Sequence, residues 1–306
     1  VISTGGTLGR SEFVPDRDAT VVRRLKAAGA ILLGKTNTPE MGHRGSTENL
    51  LGEPCRNPWD VSRTAGGSSG GAAAALAAGL CPVATGSDGG GSIRIPAGFC
   101  GVYGIKPTQG RVPGSYGGPG GWRPFSQNGP MARTVLDAAI LLQQMAGPDP
   151  RDPMALSSEP PDFAAACIPD VRGLRMGWSP NLGDAAVDPE VRVITEKAAI
   201  RFQEMGADVE ALQLDFDGEL VLDTFNTIWL CDLSANYGGL LDEHADELDP
   251  VLLDQIRRAN SWPAPKLAKA LRQLELHRVK VAKIFEDIDV LLTPALAVEA
   301  FPIGEF

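Results

Sequence analysis

Between Thr64 and Pro107 two glycine-rich, serine-bearing runs flank one short stretch of apolar chain. The first run is Thr64-Ala65-Gly66-Gly67-Ser68-Ser69-Gly70-Gly71. The second is Gly86-Ser87-Asp88-Gly89-Gly90-Gly91-Ser92-Ile93-Arg94-Ile95-Pro96. Glycine relaxes the backbone and lets another group approach closely. Between the runs, Ala72 to Ala78 reads as a small-residue helix closed by Gly79, and Pro82-Val83-Ala84-Thr85 as a strand. A chain written this way must end regular elements in two tight loops, each carrying serine hydroxyls.

The same grammar recurs. Asp18 is placed to cap a helix over residues 19–28, with Val21, Val22 and Leu25 on one face and Gly29 at its end. Ala30-Ile31-Leu32-Leu33 follows as an apolar strand. Glu190 to Met205 reads as a helix ended by Gly206, with a strand over residues 207–210. Arg133 to Met145 predicts an amphipathic helix with Val135, Leu136, Ala139, Ile140 and Leu142 apolar. A Pro-rich surface connection runs to about Asp170, and a strand starts at Gly173 to Trp178. Residues 218–287 are helical in pattern, broken at Trp262-Pro263-Ala264-Pro265, and Asp289 to Thr293 is a last strand. Helix, glycine and unalternating apolar strand together predict the α/β class, with sheet covered on both faces. No linker is polar enough to force a domain boundary.

Composition narrows the function. The net charge is −10, and the 28 Lys and Arg residues form no basic run, so charge-driven nucleic-acid binding is excluded. Cys55, Cys81, Cys100, Cys167 and Cys231 lack the spacing of a zinc or redox motif. Their odd number suits a reducing cytoplasm. No apolar run approaches the roughly 20 residues of a membrane span. Both ends start and stop abruptly, as if cut from a longer chain.

Three chemistries compete for the glycine-serine segment. A phosphate cradle needs Lys-Ser/Thr after its glycines, and Gly71 is followed by Ala72-Ala73. A nucleophile elbow matches Gly66-Gly67-Ser68-Ser69-Gly70, but the residues before it make a poor strand. Its histidine would be His244 or His277, each in a charged, helical context. A serine hydrolase without histidine uses both runs. A neutral lysine replaces the imidazole, a second serine bridges base and nucleophile, and glycine N–H groups face the developing oxyanion.

At these residues the sequence resembles the amidase signature family. The blocks Gly66 to Gly71, Gly86-Ser87-Asp88 through Ser92-Ile93-Arg94, Phe99-Cys100-Gly101 and Gly104-Ile105-Lys106-Pro107-Thr108 match its signature in order and spacing. Gly34-Lys35-Thr36-Asn37, Ser46-Thr47-Glu48-Asn49, Asn57-Pro58-Trp59-Asp60, Gly129-Pro130 and Gly147-Pro148-Asp149 match further blocks. The match is dense over about residues 1–150 and looser beyond.

The resemblance implies a central mixed sheet covered by helices on both faces, cut short at both ends. Residues 1–306 would form one domain: a signature core over 1–147, a largely helical section over 148–288, and a last strand and tail over 289–306. It implies hydrolysis of a carboxamide C–N bond through an acyl-enzyme on Ser92. Ser68, 24 positions earlier, would be the proton relay, following a cis peptide after Gly67. Gly89, Gly90 and Gly91 would line the oxyanion hole; Gly89 departs from the family's usual Thr or Ile. The base would be a lysine ahead of Val1, so the chain by itself is expected to lack it. Lys35 and Lys106 fall in other blocks and read as structural.

Asp88 and Arg94 read as a pair bracing the loop, and Ser69 as a supporting hydrogen-bonding group. Met41 to Gly45, with Gly42 and His43, resembles the family's substrate-proximal turn. The loop from Gly114 to Trp122 reads as a surface loop or a lid. No metal or cofactor is implied, and the partner is a small amide. A homodimer is one assembly. The alternative activity, a glutaminase subunit of a tRNA-dependent amidotransferase, would bring partner subunits. A second alternative is a catalytically inactive scaffold.

Overall fold

The computed structural model describes residues 1–114, 122, 124–168, 170–242 and 244–305. The chain divides into two compact units. One comprises Val1–Cys167, Gly239–Asp254 and Ala300–Phe306; the other comprises Ile168–Gly238 and Gln255–Glu299. The first division point falls in the Pro-rich stretch that the sequence marks as a connection.

In the first unit, α1 (Thr20–Ala27) precedes an antiparallel pair, β1 (Arg56–Asn57) and β2 (Asp60–Thr64). Then come α2 (Gly70–Ala77), β3 (Val83–Asp88), α3 (Arg94–Cys100), β4 (Tyr103–Gly104), β5 (Gln127–Ala132) and α4 (Val135–Met145). Strands β3, β5 and β4 form an antiparallel sheet in that order. Residues directly opposite each other share a face, and neighbours along a strand alternate. Ala84 and Met131 are opposite each other and pack with Ala72, Ala73 and Leu76 of α2 and Ala97 of α3. Val83, on the other face, packs with Leu141, Leu142 and Met145 of α4 and Val21 of α1. Helices therefore cover both faces of this sheet, as expected.

The face of the sheet that meets α2 and α3 contains a socket. Gly86 of β3, Gly104 of β4 and Gly129 of β5 each lack the Cβ that would strike the side chain of Ile93. The distances from the missing Cβ to Ile93 are 2.9 Å at Gly86, 2.6 Å at Gly104 and 2.9 Å at Gly129. Gly86 and Gly129 are register partners, so two of the three glycines face each other across the ladder. Ile93 is fully buried there.

The second unit holds β6 (Arg175–Trp178), α5 (Pro189–Glu204), β7 (Asp208–Ala211) and α6 (Gly218–Tyr237). After α7 (Pro250–Asn260), where the chain passes between units, come α8 (Ala264–Asp287) and β8 (Val290–Leu292). Its sheet is parallel, ordered β7-β6-β8. Asp188 caps α5 through the amides of Glu190 and Val191, and Asp217 caps α6 through Leu220. Both strand senses of the expected mixed architecture are present, on separate ladders.

Three local expectations are corrected. Asp18 does not cap α1; Ala19 holds that position and Asp18 pairs with Lys26 at 2.8 Å. Residues 30–33 join no ladder among the described residues, and Ile31 and Leu33 are 85% and 74% exposed. Apolar composition favours a strand only where a neighbouring strand supplies hydrogen bonds. In α4 the buried face is Ala138, Ala139, Leu141, Leu142 and Met145, while Val135, Leu136 and Ile140 are exposed. Leu141, Leu142 and Met145 pack there with Val21 and Val83, so the inward stripe is set by what lies against the helix and not by apolar composition alone.

Truncating Ile93 to Ala should leave a cavity that three backbone segments cannot close. The expected loss is about 2–5 kcal/mol of stability, read from denaturant unfolding with an unchanged slope.

Candidate active site

Strand β3 delivers its last residue, Asp88, into the interior with no exposed surface. The chain then reverses through Gly89–Ser92 into α3. Asp88 Oδ1 accepts the Gly91 amide at 2.8 Å, and Oδ2 accepts the amides of Ile93 and Arg94 at 3.2 and 3.3 Å. Arg94 adds a forked pair, Nε to Oδ2 and Nη2 to Oδ1, both at 2.8 Å. Burial alone would favour the neutral acid. Arg94 and the loop amides outweigh it and hold the Asp88 carboxyl below its ordinary range. The pair thus ties the end of β3 to the start of α3.

The first serine run lies against this loop. Gly66 takes φ of +77°, and a Cβ there would sit 2.9 Å from Pro96 Cα. A Cβ on Gly67 would meet the Ser46 carbonyl oxygen at 2.5 Å. Only glycines pass between those two backbones. The Thr47 hydroxyl donates to the Gly66 carbonyl at 2.7 Å. The Gly67–Ser68 peptide is cis. Ser68 follows, 7% exposed, and Ser69 turns its hydroxyl to Ser87 of β3, accepting that residue's amide at 3.3 Å. The Ser69 amide donates to the Ser92 carbonyl at 3.0 Å, so the two runs are joined by backbone directly beside both serines.

The turn of residues 40–43 completes the surroundings of Ser68. A Cβ on Gly42 would be 3.4 Å from the Ser68 hydroxyl. Met41 has φ of +50°, and His43 is buried with Nδ1 2.7 Å from the Glu40 carbonyl oxygen. The structure thus brings together Ser68, Ser69, Asp88, Ser92, Arg94 and Gly42. Lys35 is exposed. Lys106 Nζ donates to the Pro107 carbonyl at 3.1 Å, and burial lowers its pKa. Neither lysine is tied by a described bond to a site serine.

The Gly91 amide, which the resemblance assigns to an oxyanion hole, donates to Asp88. A side chain at Gly89 would collide with the indole of Trp122, which stacks on Phe125 with ring centroids 4.7 Å apart. The ladder explains the approach: Asp88 pairs with Gln127, so the residues just before β5 face the loop after β3. Between Gly114 and Trp122 the expected lid falls on residues 115–121, which lie outside the described residues.

Several contributors have no clear sequence signal. Ile93 stands in the sequence only as part of a block, although a lone large apolar residue among glycines hints at a socket. Thr47 and Ser46 also fall in a matched block that assigns them no role. Among the described residues, no group of three or more His, Cys, Asp or Glu is placed to hold a metal. No helix among them is long and apolar enough to cross a membrane. The five cysteines are free. Burial pushes the Cys55 thiol up to about 11, and burial with neighbouring Cys55 pushes Cys100 up to about 12.

Comparison with known proteins follows the same residues. The family model described as Amidase matches residues 1–306. An acylamidase of Rhodococcus erythropolis is 39% identical over 310 residues, covering 99% of this chain and 64% of the relative. A glutamyl-tRNA(Gln) amidotransferase subunit from Moorella thermoacetica is 38% identical over 318 residues, covering 96% of this chain and 65% of that protein. A crystal structure of a bacterial aryl acylamidase of the amidase signature family superposes with a TM-score of 0.91 at 32% identity. That match covers 97% of this chain and 63% of the other. The chain thus spans less than two thirds of these relatives' lengths.

A depressed carboxyl stabilises the fold most when it is ionised. The Asp88 contribution should be complete above the unfolded value of about 3.9 and vanish as pH falls through its lower folded value. Thermal melts across acid pH should show that slope in the wild type. Asp88→Asn should be less stable at neutral pH and lack this part of the slope.

Proposed function

Because this chain belongs to the amidase family, we propose that it hydrolyses a carboxamide C–N bond through an acyl-enzyme on Ser92. The observation that carries the reading is the Ser69 amide to Ser92 carbonyl bond, which holds both serine loops in one rigid register. Ser68 is buried and Ser92 half-buried, which suits a relay between a shielded base and an accessible nucleophile.

In this reading the base is the neutral lysine that the family resemblance places ahead of Val1. It takes the Ser68 proton as Ser68 takes the Ser92 proton, and Ser92 Oγ attacks the amide carbon. The oxyanion is held by amides of the Gly89–Ser92 turn. Since the Gly91 N–H serves Asp88, the role falls on Gly89, Gly90 and Ser92. One such donor is worth about 2.7–4 kcal/mol in the transition state. The relayed proton passes through Ser68 to the leaving nitrogen as the C–N bond breaks. Water then attacks the acyl-enzyme and releases the acid, restoring the Ser92 hydroxyl.

A second reading is the glutaminase subunit of a tRNA-dependent amidotransferase, favoured by the 38% identity to a glutamyl-tRNA(Gln) amidotransferase chain. Glutamine-dependent ammonia release with a co-purifying partner would select it. Simple amide hydrolysis by the protein alone would select the first reading.

In the protein of full natural length, Ser92→Ala should abolish amide turnover; retained turnover ends the assignment. Ser68→Ala should lower kcat by several orders of magnitude, and a mild loss would remove it from the relay. A lysine base works only when deprotonated, so kcat should climb toward alkaline pH in a steady-state profile.

A further inference from the structure

We propose that Asp249 is a positioning residue, which locks the Met41–Gly42 turn behind the Ser68 hydroxyl through Glu40, His43 and Arg44. The inference rests on the reading of Ser68 as proton relay. It concerns a residue far along the chain from either serine, in the segment Gly239–Asp254 that the first unit takes up.

The turn needs holding. Met41 adopts φ +50° and ψ +15°, the left-handed region that a residue with a side chain seldom enters. Such conformations persist where the surroundings over-determine them. Gly42 follows at φ +70°, with its missing Cβ 3.4 Å from Ser68 Oγ. Any relaxation at Met41 therefore shifts Gly42, which borders the Ser68 hydroxyl at about the width of one Cβ contact. Backbone bonds hold the front of the turn: the Met41 amide donates to the Gly5 carbonyl at 2.8 Å, and the Gly42 amide to Pro39 at 3.1 Å.

Buried side chains hold its back. Glu40, His43 and Asp249 are 1%, 4% and 4% exposed. Glu40 Oε2 accepts the Asp249 amide at 2.6 Å. Asp249 Oδ2 accepts Arg44 Nη2 at 2.8 Å, and Oδ1 lies 3.5 Å from His43 Nε2. His43 closes the ring by meeting the Glu40 carbonyl through Nδ1 at 2.7 Å. One residue thus grips the turn on both sides of Met41–Gly42, at 40 and at 43–44. Burial opposes the charge on Asp249, yet His43 and Arg44 hold its carboxyl at about 2. A cluster kept only for stability would do as well with apolar side chains. Buried charge at this place is explained by the orientation it imposes.

Asp249 also accepts the Val251 amide at 2.9 Å at the start of α7, so truncation would disturb a second feature. Asp249→Asn keeps an oxygen for that cap and removes the charge. Glu40→Gln tests the other arm. The readout exploits what a relay does. An amine leaves only when protonated, whereas a nitrophenolate leaves from an ester without a proton. A displaced Ser68 therefore harms amide cleavage more than ester cleavage, while partial unfolding harms both alike.

The measurement is kcat for an amide and for a p-nitrophenyl ester of the same acyl group, in the protein of full natural length. Asp249→Asn and Glu40→Gln should each lower the amide-to-ester ratio at least tenfold. Equal losses on both substrates, or an unchanged ratio, would overturn the proposal. Labelling of the wild type by a serine-reactive phosphonate separates the two levels. Labelling at Ser92 with an unchanged ratio refutes the role of Asp249 alone; labelling elsewhere refutes the underlying reading, and the proposal falls with it.

Discussion

An ionised carboxylate removed from water must be surrounded by donors, and the turn around Asp88 is built to that requirement. Five donors from Gly91, Ile93 and Arg94 converge on its two oxygens. The requirement fixes where Ser92 stands, because that residue lies between two of the donors. It also withdraws the Gly91 amide from other uses. Ile93 adds the complementary apolar constraint, its side chain sunk among three strand glycines while its amide serves Asp88. Charge satisfaction and close packing thus act on adjacent residues and leave the intervening hydroxyl little freedom.

The second serine loop is held by exclusion. Gly66 and Gly67 run where Pro96 and Ser46 allow no Cβ, and Thr47 ties the Gly66 carbonyl from the side. The Ser69 amide donates to Ser92 and its hydroxyl accepts from Ser87, which binds the Ser68 loop to both ends of the segment that carries Ser92. The two serine loops are therefore held together by backbone approach and not by long side chains. Where side chains do contribute, at Glu40, His43, Arg44 and Asp249, they are buried and mutually paired, so their rotamers are fixed as well.

Much of this was legible in order along the chain. Helix ends at Gly29, Gly79 and Gly206 followed from glycine after an apolar period, and all three take positive φ. The runs around Ser68 and Ser92 announced two tight loops, because no other element tolerates so much glycine. The Asp88–Arg94 pair was readable as opposite charges flanking Ser92. Less was legible wherever the deciding partner lies far away. Residues 30–33 have strand composition without a ladder, and the buried face of α4 was set by its partners Val21 and Val83.

The sequence by itself determined the local chemistry: which residues carry hydroxyls, which turns admit only glycine, and where helices stop. Those properties depend on covalent structure and on neighbours a few positions apart. Tertiary structure alone decided that Gly86, Gly104 and Gly129 make one socket with Ile93, and that Asp249 reaches back to Glu40. Each of those outcomes is a contact between chain segments whose separation in sequence carries no distance information. Only packing, which removes apolar surface and buried charge from water together, selects them.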